Sequence, residues 1–146
     1  MIYKFTIISN EVENFIRCIE IDSDATFYDL HKAILDACQY TDNQLTSFVI
    51  CDAEWEREQE ILLEDMGTTS SEEDLYLMRD TRLGELIEDE SQRLAYVFDV
   101  LAERMLFLEL SEIAFGRSLE KAVCTRSHGN APRQQEDIEE ILSKEP

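Results

Sequence analysis

The chain has 146 residues, 44% of them apolar, with 33 Asp and Glu against 13 Lys and Arg for a formal net charge of −20. That length and apolar share suit one globular domain with a packed core, and four Gly and two Pro exclude a Gly/Pro-rich low-complexity chain. The charge argues against sequence-independent binding to nucleic acid or to an anionic membrane, since both need a basic face.

Ile2 to Ile8 is β-rich and alternating, and Ser9-Asn10-Glu11 breaks it. Phe15 to Ile21 alternates cleanly, and the short gap between the two predicts a hairpin. Thr26 reads as an N-cap with Asp29 in capping-box position, opening a helix over 27–38 whose stripe is Phe27, Leu30, Ile34, Ala37 and Cys38. A strand over 45–51 follows. Two strands, a helix and a strand open a β-grasp-like α+β fold with a mixed sheet. Further on, the pattern predicts a strand near 60–66, a polar acidic loop over 67–74, a short strand over 75–78 and a short helix through Leu83, Leu86 and Ile87. Strands over 94–100 and 105–115 come next, then an irregular stretch over 116–132 and a C-terminal helix over 134–143 with Ile138, Ile141 and Leu142 on one stripe. The expected organisation is one domain over 1–146, with core sheet and helix in 1–115 and an irregular segment plus short helix in 116–146.

No apolar run reaches the length of a membrane span, and the N-terminus has no signal-peptide pattern, so a cytoplasmic location is expected. Cys18, Cys38, Cys51 and Cys124 form no CxxC half-site and read as structural free thiols. No cofactor and no metal are expected.

The charge concentrates in 52–90, where 15 acids face 3 bases for a net −12. Asp52, Glu54, Glu56, Glu58 and Glu60 alternate, but no Gly follows where a calcium loop needs one. A solvated face is the ordinary use of such a run. The functional alternative is a docking surface for a basic protein partner, with Glu54, Trp55, Glu56, Glu58 and Glu60 as partner-binding residues. Trp55 is either an exposed anchor or the one buried side chain of a polar loop, the commoner case. His31 and Asp99 are the weak catalytic candidates. A core-edge or exposed role is the ordinary one for His31, and a backbone-bonding role in a tight turn is the ordinary one for Asp99.

Several landmarks resemble the plasmid pRiA orf-three-like family. They are Tyr3-Lys4-Phe5, Thr26 leading to Leu30-His31, Leu45-Thr46-Ser47-Phe48, Tyr96-Val97-Phe98-Asp99, and the segment from Cys124 to Pro132. The likeness spans nearly the whole chain and rests on the order of individually weak motifs. It implies a β-grasp-like α+β fold and a bacterial, mobile-element-associated, cytoplasmic protein with no established catalytic activity. The chain departs from the family where Gln44-Leu45-Thr46 replaces His-Leu-His, and where Val100-Leu101 follows Asp99 in place of Phe-Gly. Of the family's polar set His31 and Asp99 remain. Three readings follow: a non-enzymatic interaction module with an acidic face, a small hydrolase or metal-dependent enzyme around His31 and Asp99, and an acidic DNA-mimic inhibitor.

Overall fold

The computed structural model describes residues 1–65, 67 and 75–135. The chain runs β1 (Ile2–Ser9), β2 (Ile16–Asp22), α1 (Phe27–Cys38), β3 (Ser47–Cys51), β4 (Arg57–Leu62), α2 (Leu83–Leu86), β5 (Arg93–Asp99), β6 (Arg104–Ala114) and β7 (Val123–His128). The seven strands form one sheet in the order β4-β3-β5-β6-β1-β2-β7. Every pairing between these strands is antiparallel. The α+β class holds, but the sheet is not mixed, so the grasp-like arrangement expected from the opening elements is not confirmed.

Period-two alternation sorts the side chains of the sheet. Tyr3, Phe5, Ile7, Ile19, Ile21, Phe48, Tyr96, Phe98, Leu106, Leu108 and Leu110 point to one face and are buried with Phe27, Leu30 and Ile34 of α1. Met78, Leu83 and Ile87 close the end of this core. The opposite face holds a smaller cluster of Val49, Cys51, Ala95 and Val97, partly covered by Trp55 and Met105.

Helix α1 starts where the sequence places it, because local chemistry fixes its start. The Thr26 hydroxyl accepts from the Asp29 N–H, and the Asp29 carboxylate accepts from the Thr26 N–H. Its C-cap, Gln39, takes left-handed φ 59°.

Two strands differ from expectation. β4 begins at Arg57, not at 60, since pairing with β3 rather than apolar alternation makes Arg57 to Glu60 a strand. The stretch 123–128, expected to be irregular, is β7 on β2. All six of its residues are exposed, so no buried alternation announces it. Arg17 of β2 ties it down: the guanidinium donates to the carbonyls of His128 and Gly129, and also to Ala37 at the end of α1 and to Ile16, each at 2.9 Å. The expected strand over 75–78 reduces to one bridge between Leu77 and Leu62. Positions 68–74 of the acidic loop, and 136–143 of the C-terminal helix, lie outside the described residues.

Candidate functional site

Asp52 organises the turn between β3 and β4. Its Oδ1 accepts from the N–H groups of Glu54 and Glu56 at 2.8 and 2.9 Å, and its own N–H donates to the Glu56 carbonyl. Such bonding is the usual reason an Asp sits in a turn. Trp55 is left at φ 65°, and its ring turns back onto the sheet, edge-on to Phe107 with centroids 5.1 Å apart and with Arg93 over its face. Trp55 is thus partly buried against the smaller cluster and does not stand out as a free anchor. Glu54, Glu56, Glu58 and Glu60 are exposed along the turn and edge strand.

Beside them lies an open depression of about 500 Å³. The carboxylates of Asp52, Glu58, Glu85, Glu88, Asp89 and Glu90 line it, and Arg93 is its one lining cation among the described residues. Arg93 is engaged elsewhere, with the Ala53 carbonyl and, at 3.7 Å, with Glu109. The grouping of four of these six carboxylates with the other two was not legible in the sequence. Glu85, Glu88, Asp89 and Glu90 lie at least 25 positions beyond Glu60 and join it only because β5 pairs with β3. Among the described residues no three His, Cys, Asp or Glu side chains are grouped as metal ligands.

His31 and Asp99 sit in separate networks. His31 is fully buried on α1, not at the core edge. Its Nε2 lies 3.2 Å from Asp42 Oδ1, and its Nδ1 lies 2.8 Å from Tyr96 Oη and 3.4 Å from Thr46 Oγ1. Burial holds the imidazole pKa below its ordinary value, opposed by Asp42, so the neutral ring is the resident form. A carboxylate only accepts, so Nε2 carries the proton and Nδ1 accepts from the Tyr96 hydroxyl. Burial pushes the Tyr96 phenol well above its ordinary value. The relay braces α1, β5 and the segment before β3. Both ring nitrogens are bonded within the protein, and the ring is fully buried.

Asp99 closes the β5–β6 turn, where Oδ1 accepts from the Ala102 N–H at 3.3 Å. Its other oxygen faces Arg104 at 3.5 Å. Arg104 in turn binds Glu11 at 2.8 Å and the carbonyls of Arg133 and Gln134. Neither network includes the other's acid or histidine. Of the three depressions described on this surface, none is lined by His31 or Asp99.

The four cysteines are free thiols. Cys38 is buried at the end of α1, and burial pushes its pKa up to about 12, which keeps it protonated and unreactive. No helix among the described residues is long and apolar enough to cross a membrane.

A seven-stranded antiparallel sheet with one long helix on one face defines an α+β protein of this connectivity. Residues 2–143 match the family described as plasmid pRiA4b ORF-3-like protein, and the chain belongs to that family. No curated protein matches it. Among solved structures it is similar to a protein of unknown function, MM3350, from Methanosarcina mazei Go1. The identity is 19%, the TM-score is 0.65, and the match covers 86% of this chain and 68% of that one. The likeness carries the fold.

Proposed function

We propose that this protein is a non-enzymatic, cytoplasmic interaction module that takes a basic segment of a protein partner on its acidic β3–β4 rim. The observation that carries the reading is the convergence of Asp52, Glu58, Glu85, Glu88, Asp89 and Glu90 on one open depression, continued along the edge by exposed Glu54, Glu56 and Glu60. Carboxylates spread over that span suit several Lys or Arg side chains better than one metal ion. A net charge of −20 also draws a basic chain in from a distance, faster at low salt. A DNA-mimic role is the narrower case in which the basic segment is a DNA-binding face, and competition with duplex DNA separates the two.

Calorimetric titration with an unstructured Lys/Arg-rich peptide, at low and moderate salt, tests the reading. Replacing Glu54, Glu56, Glu58 and Glu60 together with Gln should weaken binding by about tenfold, a modest sum of exposed charge pairs. A second variant neutralises Glu13, Asp36, Glu103 and Glu120, which are exposed elsewhere, and should lose far less. Equal losses in the two variants would reduce the rim to a share of the overall charge and end the reading.

A further inference from the structure

The opposite end of the sheet carries a different chemistry. Arg17 is 6% exposed, yet among the described residues it forms no ion pair. Its four hydrogen bonds all end on main-chain carbonyls, those of Ile16, Ala37, His128 and Gly129, and its remaining support is the face of Phe15 at 4.7 Å. A guanidinium has five N–H donors, so one on Nη2 is left over among the described residues. A buried charge held by neutral acceptors alone is costly to keep out of water, and a matching anion would relieve that cost.

Arg17 lines an open depression of about 490 Å³ between the end of α1 and the turn after β7. That volume falls within the range of small-molecule sites. Among the described residues its charged lining is Arg17 and Arg133. Two other depressions described on this strongly acidic protein are lined, among the described residues, by six acids and one Arg, and by two acids and one Arg. Ser127 is directly opposite Arg17 across the β2–β7 ladder and therefore on the same face. The amides of Gln39 and Asn130 complete a polar wall.

We propose that this depression binds a small oxyanion-bearing ligand, a carboxylate or a phosphate, through Arg17, Ser127 and Asn130. The one spare N–H of the Arg17 guanidinium and the neighbouring hydroxyl and amide donors match two or three oxygens of one such group. This site is independent of the acidic rim and of the reading built on it.

The test is an amide-resolved NMR titration of the full chain with sodium phosphate and with sodium acetate, each against sodium chloride at matched ionic strength. Saturating shifts confined to Gln39 and the 127–130 turn are expected. Saturation by phosphate at the lower concentration identifies a phosphoryl group, and saturation by acetate first identifies a carboxylate. Asn130 is exposed, so Asn130→Asp should fold normally while its added charge weakens binding by about tenfold, the scale of one charge-assisted hydrogen bond. Shifts that never saturate, that chloride reproduces, or that Asn130→Asp leaves unchanged would overturn the proposal.

Discussion

At one edge of the sheet, β4 presents Glu58 and Glu60 to water and is held by its ladder to β3 and by the Asp52 turn. At the other, β7 is exposed along its whole length and is held by its ladder to β2 and by one buried side chain, Arg17. An edge strand presents main-chain groups that can invite further strands. β4 is guarded by charge, which costs the fold little and leaves the surface able to attract cations. β7 is guarded by tethering, which concentrates its stability in one guanidinium. A rim built of many weak, exposed charges can lose any one of them, whereas a clamp built of four bonds to one residue cannot.

The largest expected effect is therefore at the clamp. Arg17→Ala removes donors from four carbonyls, three of them outside β2, and should cost about 3 kcal/mol or more in urea unfolding. Hydrogen exchange at 123–128 should rise well before exchange at 57–62. A loss no greater than that of a rim substitution would break the comparison. Gly129→Ala should come next, at about 2 kcal/mol. Gly129 lies at φ 76°, and a Cβ there would sit 2.3 Å from the Asn14 carbonyl, so the turn that presents its own carbonyl to Arg17 would have to move.

Acid should act in two windows. His31 is held below its ordinary 6.5 chiefly by burial, so the unfolded chain takes up that proton more readily. Its contribution is complete above 6.5 and is lost as pH falls toward the lower folded value. His31→Gln should flatten this part of the stability profile. Asp22 is held below its ordinary 3.8 by the N–H groups of Asp24 and Leu119. Leu119 belongs to the chain leading into β7, so its contribution, present above 3.8, disappears at lower pH and should loosen the β7 side. Asp22→Asn should remove that second window. The smallest effect belongs to the rim. The Gln replacements of Glu54, Glu56, Glu58 and Glu60 should leave the unfolding midpoint nearly unchanged, within about 0.5 kcal/mol per site, so any loss of peptide binding is a loss of contact rather than of fold.

Local patterns settled much of this molecule. The bounds of α1 follow from the Thr26–Asp29 capping box and one apolar stripe, β1, β2 and β6 follow from alternation, and β5 follows from a continuous apolar run, because these elements bury one face or both. The alternating acids of 52–60 were legible as a charged surface, and Asp99 as a turn acid. Strand pairing decided the rest. β7 has no buried face, so only its hydrogen bonds to β2 and Arg17 make it a strand. The acids after α2 meet the β4 rim because β5 lies beside β3. His31 and Asp99, matched by their order in the chain, end in different networks, since order along a chain does not fix distance across a sheet. The oxyanion-site residues, Arg17 and the 127–130 turn, are more than 100 positions apart in sequence, and nothing near either one signals the other. Sequence determines what a short segment buries and where it turns; tertiary structure decides which distant segments share a surface, because that depends on register and topology, which act over the whole chain.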